Sequence, residues 1–245
     1  MKKSLTISVA MAVYNGEKYL KEQIDSIEKQ LREKDELVIS LDPSSDQSEA
    51  IIKDYCRRDS RIRYIKGSGT GLRDNFQNAI SHCRNDIVFL ADQDDVWHEN
   101  KVEQVLHCFT DPEVSVVMHD AVVVDAELQM IEPSFFEMKN SRTGALNNFV
   151  KNSYIGCCMA FRKELTKYIL PFPKHLPMHD QWIGIIGDLT GKNYLLKMPL
   201  ISYRRHGNNV SGDTHASVVQ MISWRLQLLC ALIRFGLRRC KKKNG

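Results

Sequence analysis

The chain has 245 residues, of which 43% are hydrophobic and 26% charged, a composition typical of a globular protein. Residues 217–245 contain seven basic and no acidic side chains, whereas the remainder carries 27 basic against 30 acidic ones. This distribution argues against a nucleic-acid-binding fold and indicates a local anionic partner for the tail. Seven cysteines without CxxC spacing predict reduced thiols in a cytoplasmic protein rather than a disulfide framework.

Strand-like and helix-like segments alternate through the first half of the chain. The strand-like runs are Leu5–Val13, Leu37–Leu41, Ile62–Ile65 and Asp86–Leu90, and the helical segments between them are Glu17–Leu31, Asp46–Tyr55 and Leu72–Cys83. This alternation of strands and helices predicts an α/β protein with a parallel sheet and right-handed crossovers. Because ligands bind beyond the carboxyl ends of such strands, we expect Asn15, Asp42, Gly67 and Asp92 to share one cleft.

The second half is less regular. Apolar runs at Val114–Met118, Ala121–Val124, Gly156–Phe161, Tyr194–Leu196 and Leu200–Tyr203 are its strand candidates. The polar stretch from Glu132 to Asn148 contains Pro133 and Gly144 and predicts a mobile loop or an acceptor-side lid. Further along, we expect a helix to begin near His179 and Asp180. No run of about 18 apolar residues occurs, so no membrane-spanning helix is expected.

Three carboxylates, Asp92, Asp94 and Asp95, lie within four residues after the apolar strand that begins at Ile87. Burying that much negative charge is costly unless a cation or hydrogen-bond donors offset it. A divalent cation held by hard oxygen ligands, with phosphate oxygens completing its shell, would do so. The pattern therefore predicts a metal-dependent enzyme acting on a diphosphate. An exposed acidic turn that caps the next helix is the alternative.

Five motifs occur in order along residues 5–212. They are Val13–Gly16, Asp42–Asp46, Gly71–Asn75, Asp92–Trp97 and Tyr203–Gly212. Together they resemble the family-2 glycosyltransferases of the GT-A fold, in the branch called rhamnosyltransferase-like. The resemblance implies a Rossmann-like, mostly parallel central sheet flanked by helices. It also implies one domain over residues 1–216, with a nucleotide-binding half at 1–110 and an acceptor-side half at 111–216.

The activity that the resemblance implies is the inverting, metal-dependent transfer of one sugar. The donor would be a dTDP- or UDP-linked sugar, with dTDP-rhamnose as the best single expectation. The acceptor would be a hydroxyl of a glycan or lipid-linked glycan in surface polysaccharide synthesis. A nucleotidyltransferase that builds the sugar nucleotide is a second enzyme class, but Ala12–Asn15 lacks its glycine-rich, basic loop. A non-catalytic membrane-associated scaffold is a third hypothesis, and the intact Asp92, Asp94 and Asp180 argue against it.

The metal site that the resemblance implies combines Asp94 with Asp92 and His206. Asp94 is expected to bind Mn²⁺ or Mg²⁺ together with the donor phosphates, while Asp92 also faces the ribose or sugar. Arg204 and Arg205 precede His206, and two guanidinium groups would suit a diphosphate. A solvated basic loop is the alternative for these arginines.

The nucleotide site is expected to include Ala12, Tyr14, Asn15, Asp42 and Arg73. Asp42 resembles the family residue that accepts the imide N–H of a uracil or thymine base. The common Asp-Asp-Gly-Ser becomes Leu-Asp-Pro-Ser here, and a plain turn residue is the alternative. Arg73 matches a position that steadies the nucleotide or pyrophosphate, with a surface salt bridge as its alternative.

Asp180 is the predicted catalytic base, which would take a proton from the acceptor hydroxyl. It lies downstream of the acidic motif, as the catalytic carboxylate does in the family, although His179 replaces the usual Glu before it. A helix-capping aspartate is the alternative. Trp182, two residues later, is predicted either to stack on an acceptor sugar or to pack in the core.

Residues 217–245 predict a basic amphipathic C-terminal helix. At 100° per residue, one narrow face collects Ser223, Gln227, Arg234, Arg238 and Lys241, and most of the rest is apolar. This pattern is typical of a helix lying on an anionic membrane surface. It predicts a cytoplasmic protein that is peripheral on the inner face of the cell membrane. Packing on the body, or on a second subunit in a homodimer, is the alternative.

Overall fold

The computed structural model describes residues 4–174, 176, 178–207 and 217–243. Its strands form one nine-stranded sheet in the order β3-β2-β1-β4-β8-β6-β9-β5, with β7 paired to β6. The last part of the fifth motif, residues 208–212, lies outside the described residues, as does the predicted domain boundary at 216.

The first half is a parallel sheet with helical crossovers, as predicted. Its elements are β1 (Ile7–Val13), α1 (Leu20–Glu28), β2 (Glu36–Leu41), α2 (Ser48–Arg58), β3 (Ile62–Lys66), α3 (Leu72–His82) and β4 (Ile87–Ala91). Strands β1, β2 and β4 are buried along their whole length. Continuous apolar runs of this kind are expected where helices cover both faces of a sheet.

The second half adds shorter helices and antiparallel pairings. Its elements are β5 (Val96–Trp97), α4 (Lys101–Cys108), β6 (Val114–Val124), β7 (Met130–Glu132), α5 (Phe135–Lys139), α6 (Ala145–Val150), β8 (Met159–Arg162), α7 (Thr166–Ile169), α8 (His179–Thr190), β9 (Lys192–Arg204) and α9 (Val218–Lys243). Strand β8 joins the two halves, because it pairs antiparallel with both β4 and β6. The two longest strands, β6 and β9, run parallel to each other.

Two pairs of predicted strands are in fact single strands. The runs at 114–118 and 121–124 form β6, which continues through His119 and Asp120, and the runs at 194–196 and 200–203 form β9. The carboxylate of Asp120 is buried but accepts hydrogen bonds from the backbone N–H of Phe136, at 2.9 Å, and from the hydroxyl of Ser134. Because α5 supplies these donors, the strand tolerates a carboxylate in its interior.

The predicted loop over residues 132–148 is wrong in part, since it contains α5 and most of α6. Ser134 caps α5 by accepting the backbone N–H of Glu137, and Phe135 and Phe136 are buried against the sheet. The hydrophobic pair therefore anchors a segment whose polar composition predicted a loop.

The C-terminal helix α9 packs one face against the body. Leu228 and Ala231 are buried there, and the ring of Phe235 contacts the rings of Tyr168 and Trp182. In the described ranges, no helix has an apolar stretch long enough to cross a bilayer.

Candidate active site

A pocket of about 1000 Å³ opens beyond the carboxyl ends of β1, β2 and β4. The predicted residues that line it are Ala12, Tyr14, Asn15, Asp42, Asp92, Asp94 and His206. Of the four residues expected to share one cleft, Asn15, Asp42 and Asp92 line this pocket and Gly67 does not. A parallel sheet produces this result because all of its strand ends meet at one edge.

A second cavity, of about 1110 Å³, lies between the end of α1 and α4. Its lining includes Lys29, Arg32, Glu103 and His107 but none of the predicted site residues. We place the candidate active site at the first pocket, because it combines the acidic turn with the strand-end loops and the second cavity does not.

The loop after β1 is fixed to the loop after β2 by hydrogen bonds between neutral groups and by hydrogen bonds to the carboxylates of Glu17 and Asp46. Asn15 adopts a left-handed conformation (φ 45°), and its side-chain oxygen accepts the N–H of Ser45 at 2.9 Å. The N–H of Gly16 donates to the hydroxyl of Ser48 at 2.8 Å. Asparagine tolerates positive φ better than most residues, which suits it to this turn. These bonds hold the two loops as one wall of the pocket.

Asp42 lies at the end of β2, and one of its carboxylate oxygens accepts the N–H of Gly69 at 2.9 Å. A Cβ at Gly67 would lie 2.2 Å from the same oxygen, so only glycine fits beside Asp42. Pro43 packs under Gly69, where a Cβ would lie 3.3 Å from the proline ring. The unusual proline of this motif therefore supports the glycine turn that binds the carboxylate.

Gln93, between the two acids of the Asp92-x-Asp94 motif, is a residue that the sequence did not single out. Its side-chain amide accepts the N–H of Tyr14 at 2.8 Å and donates to the carbonyl of Tyr14 at 3.0 Å. The pair fixes the loop after β1 to the acidic turn. The sequence shows only an amide between two carboxylates, and this arrangement is too common to indicate a role for Gln93.

Asn75 in α3 is a second residue that sequence reasoning missed. Its amide donates to the carbonyl of Val13 at 3.1 Å, and the residue lines the pocket. Its oxygen is buried and has no hydrogen-bond partner in the part of the chain that the structure describes. Asn75 ends the third motif, but nothing in its local sequence indicated that it reaches β1.

The metal-binding candidates Asp94 and His206 are in contact. The Nε2 atom of His206 lies 2.8 Å from Oδ2 of Asp94, and the imidazole ring stacks on Tyr19 with ring centroids 5.0 Å apart. Asp92 lines the same pocket. Carboxylate oxygens and an imidazole nitrogen are suitable ligands for Mn²⁺, and carboxylates suit Mg²⁺. Asp94 and His206 therefore offer two ligand atoms of the kind that the predicted cation takes. The ligand atoms of Asp92, by contrast, lie within 4.8 Å of those of Asp95 and Cys157.

Behind these ligands, Asp95 is buried at 1% exposure, and one of its oxygens has no hydrogen-bond partner among the described residues. Burial, and next the charge of Asp94, raise the pKa of Asp95 to about 7. Burial and the charges of Asp95, Asp94 and Asp180 raise the pKa of Asp92 well above its ordinary value. A nearby cation would favour the ionised form of both carboxylates.

Lys101 is a buried cation next to this acidic cluster. Its ammonium group donates to the carbonyl of Cys157 at 3.1 Å and lies 3.9 Å from the centre of the Trp97 ring. Burial lowers its pKa to about 8, while the charges of Asp95 and Asp92 act in the opposite direction. The sequence gave no reason to expect burial, because a lysine at the start of a helix is usually solvated.

Arg204 lies beneath the acidic turn and does not line the pocket. It is 2% exposed, its Nε donates to the carbonyl of Asp94 at 2.7 Å, and its Nη2 pairs with Glu22 at 2.5 Å. Its backbone N–H donates to Asp95 at 3.0 Å. These contacts hold the turn in place, so the expected contact of Arg204 with a diphosphate is not made from this position. Arg205 follows β9, where its N–H donates to the carbonyl of Val124 at 2.8 Å.

Arg73 and Trp182 also lie away from the pocket lining. The guanidinium of Arg73 pairs with Asp74 at 2.8 Å and donates to the carbonyl of Lys174. Trp182 is 3% exposed, and its indole N–H donates to the carbonyl of Ile169 at 3.1 Å. Of the two alternatives for Trp182, the core position is the one observed. Arg73 is bonded to the segment that precedes α8 instead of to the nucleotide-side loops.

Asp180 is the second residue of α8 and is buried. Its carboxylate accepts the N–H of Gln181 at 2.5 Å and the amide of Asn152 at 3.4 Å. Burial raises the pKa of Asp180 to about 6. Its charge contributes to the raised pKa of Asp92, so the two carboxylates are close enough to interact. The neighbouring His179 stacks on Phe76 and is kept neutral, because burial lowers its pKa to about 4.

Comparison with known proteins defines the class. The model of glycosyl transferase family 2 matches residues 8–170, and the chain belongs to this family. It is 25% identical to an uncharacterised glycosyltransferase of Nostoc over 213 residues, which cover 84% of this chain and 66% of that protein. It is 29% identical to a Bacillus subtilis protein named glycosyltransferase EpsH, covering 83% of this chain and 62% of that one.

Solved structures give the same fold. Staphylococcus aureus TarS in complex with UDP-GlcNAc is similar with a TM-score of 0.71 at 19% identity, covering 90% of this chain and 64% of that one. The mannosyltransferase PcManGT of Pyrobaculum calidifontis, with GDP-Man and Mn²⁺, has a TM-score of 0.61 at 15% identity. It covers 98% of this chain and 65% of that one. The predicted GT-A fold is confirmed, and the chain spans about two thirds or less of these relatives.

Membership of this family bears on two of the hypotheses from the sequence. It places the chain among the glycosyltransferases, which favours that hypothesis over a nucleotidyltransferase. A family assignment does not specify donor, acceptor or metal, so these depend on the residues of the pocket.

Proposed function

We propose that the protein transfers one sugar from a nucleotide-diphosphate sugar to a hydroxyl of a glycan or lipid-linked glycan, with inversion at the anomeric carbon. The observation that carries the proposal is the shared pocket. Asp42 and Asn15 line one side of it, Asp94 and His206 line the other, and Asp180 lies close to Asp92. That arrangement offers a nucleotide site and a cation site around one cavity, and a base next to Asp92 that does not itself line the cavity.

The nucleotide would lie between the strand-end loops. The Asp42 carboxylate, oriented by the N–H of Gly69, would accept the imide N–H of uracil or thymine. We therefore favour a UDP- or dTDP-linked donor, with dTDP-rhamnose as the first candidate. The complex of TarS with UDP-GlcNAc supports a uridine donor in this fold, and the complex of PcManGT with GDP-Man supports testing guanine as well.

Asp94 and His206, with Asp92, would hold Mn²⁺ or Mg²⁺. A divalent cation there supplies charge neutralisation for the diphosphate as it leaves. The Mn²⁺ complex of PcManGT supports a cation in this fold. Within this chain, Arg204 holds the carbonyl of Asp94, and the backbone N–H of Arg204 bonds to Asp95. These contacts fix the acidic turn before any ligand binds.

Asp180 would act as general base. Its pKa of about 6 leaves it ionised at neutral pH yet basic enough to take the proton of an acceptor hydroxyl. Attack by that oxygen on the face opposite the departing diphosphate inverts the anomeric carbon. The carboxylate accepts the N–H of Gln181 and the amide of Asn152, and these bonds hold it in orientation.

The acceptor would be a lipid-linked glycan of surface polysaccharide synthesis. Support comes from the basic, amphipathic helix α9, which we propose holds a cytoplasmic protein on the inner face of the cell membrane. Helix α9 packs against the acceptor-side elements α6, α7 and α8. The membrane and the acceptor hydroxyl would thus approach the protein from the same side.

A donor screen with calorimetry tests the proposal. UDP, dTDP and GDP are titrated with and without Mn²⁺, and hydrolysis of the corresponding sugar nucleotides is scored. We expect metal-dependent binding of UDP or dTDP and slow hydrolysis of the matching donor. Equal affinity with and without metal would contradict the proposed cation site. Hydrolysis of GDP-sugars alone would contradict the proposal that Asp42 accepts the imide N–H of uracil or thymine.

A further inference from the structure

Helix α9 has one apolar face that contacts the body. Leu228 and Ala231 are 1% and 6% exposed, and Phe235 packs edge-on against Trp182. Two arginines on the same side donate to backbone carbonyls of the body. Arg225 bonds to Val150 at the end of α6, at 2.6 Å, and Arg239 bonds to Leu189 in α8, at 2.8 Å. This face accounts for the packing of α9 on the body.

A second apolar face of α9 is exposed to solvent. It consists of Val219, Ile222, Leu226, Leu229, Ile233 and Leu237, each between 43% and 78% exposed. At about 100° per residue these side chains lie within about 80° of one another, roughly opposite the buried face. We call these six residues the exposed stripe. Large contiguous apolar surfaces are uncommon on monomeric proteins and usually mark a binding surface.

Positive charge accompanies the exposed stripe. Arg234 and Arg238 are exposed and lie on the polar face between the stripe and the buried face, about 60° and 100° of helical rotation from the nearest stripe residue. Residues 217–245 contain seven basic and no acidic side chains. A second copy of the chain placed on the stripe would bring two such basic segments together, and like charges repel. An anionic lipid surface compensates the same charges while accepting the apolar side chains.

We propose that the exposed stripe is a lipid-docking surface and that α9 is a two-sided connector between the body and an anionic bilayer. The helix has 26 residues and is therefore about 39 Å long. The stripe would enter the headgroup layer with Arg234 and Arg238 at lipid phosphates, while Leu228 and Phe235 stay on the body.

The docking would also orient the acceptor side, a consequence that rests on the proposed function. Trp182, which Phe235 contacts, lies two residues after Asp180 in the same helix. A rigid connection through α8 would hold the proposed base at a fixed orientation relative to the membrane. Lipid-linked acceptors would then be used better than soluble ones of the same glycan structure.

Vesicle co-sedimentation tests the proposal with the full chain. Vesicles contain phosphatidylcholine alone or phosphatidylcholine with 30 mol% phosphatidylglycerol. We expect the double variant L226S/I233S, and separately R234Q/R238Q, to weaken binding to the anionic vesicles by about tenfold or more. The matched control M130S/I131S removes exposed apolar side chains from β7 and should bind like the unaltered chain.

Two further readouts separate the possible results. Size-exclusion chromatography with light scattering should give a monomer for every variant; a dimer that L226S/I233S dissociates would overturn the proposal in favour of an interface between copies. Unchanged vesicle binding of L226S/I233S would overturn it as well. Donor hydrolysis should stay within about twofold in the stripe variants, because the stripe is remote from the pocket. Absence of hydrolysis in the unaltered chain, with vesicle binding intact, would refute the proposed function and leave the lipid-docking surface standing.

Discussion

The nucleotide side of the pocket differs from its acidic side in the interactions that hold its loops. On the nucleotide side, the neutral amides of Asn15 and Gln93 bond to backbone groups of neighbouring loops. On the acidic side, the charged groups of Asp95, Lys101 and Arg204 are each 2% exposed or less. The first side is joined by neutral hydrogen bonds and by hydrogen bonds to the carboxylates of Glu17 and Asp46, whereas the second depends on buried ions.

This difference has consequences for pH and for substitution. Neutral hydrogen bonds do not change between pH 5 and 8, whereas the acidic side titrates in that range. The pKa of Asp95 is raised to about 7, and that of Lys101 is lowered to about 8. Removing one of two opposite buried charges leaves the other uncompensated, which changes stability more than the loss of a neutral hydrogen bond. The acidic side, where we propose the cation site, is therefore also the side on which a substitution should change stability most.

The largest expected effect is that of D94N. Replacing the carboxylate that contacts His206 should lower the transfer rate by about 10³-fold or more, since a cation supplies several kcal/mol of charge stabilisation. Initial rates over a Mn²⁺ titration measure the effect. E99Q replaces an exposed carboxylate shortly after the acidic turn in the sequence; it is the control and should keep full activity. A variant D94N with unaltered metal dependence would refute the cation site.

Next is D180N, which we expect to lower transfer by about 10² to 10³-fold while nucleotide affinity stays the same. The unaltered enzyme needs the ionised base, so its rate should rise with pH up to the pKa of about 6 and level off above it. The residual rate of D180N should lack this step. A pH–rate profile and calorimetry with the nucleotide check both points. An identical profile in the two proteins would assign the step to another group.

A third prediction concerns stability on the acidic side. K101M removes a buried ammonium whose pKa is lowered to about 8, so the charge of Lys101 costs the fold free energy below that pH. The unaltered protein should therefore gain about 2 kcal/mol in its free energy of unfolding relative to K101M between pH 7.5 and 9.5, where Lys101 loses its proton and that cost disappears. Urea denaturation at both pH values measures this. The exposed lysine variant K29M should change stability by less than about 0.5 kcal/mol.

The smallest effect belongs to the nucleotide side. Q93L removes two neutral hydrogen bonds to the backbone of Tyr14, an exposed residue whose groups water can reach. The expected loss of stability is about 1 kcal/mol, with no difference between pH 7.5 and 9.5. The same urea experiment applies. A loss of stability that depends strongly on pH would mean that Gln93 is coupled to the buried charges of the acidic side, and would contradict the difference between the two sides.

The sequence predicted the first half of the fold well and the second half poorly, for a physical reason. Strands β1, β2 and β4 are buried on both faces, so they appear as uninterrupted apolar runs. In the second half, β6 contains His119 and Asp120, and β9 contains Pro199. Such residues interrupt a local pattern, but α5 supplies hydrogen bonds to Asp120 and the strand continues. Donors from a separate element cannot be read from local spacing.

The residues of the candidate site were likewise predicted only in part from the sequence. The acidic turn and Asp42 were evident from their positions at strand ends, because residue order alone places them there. Lys101, Gln93 and Asn75 were missed, since lysines and amides are common on surfaces. Only burial distinguishes Lys101 and Asn75, and only the two hydrogen bonds to Tyr14 distinguish Gln93.

By itself, the sequence determined the alternation of strands and helices, the carboxylates at the end of β4 and the amphipathic character of α9. These follow from spacing within one segment, where periodicity and charge are local properties. Only the tertiary structure decided that Asp94 meets His206, that Arg204 lies beneath the acidic turn, and which apolar face of α9 stays exposed. Those results depend on contacts between segments far apart in the chain, and burial arises only when the segments pack together.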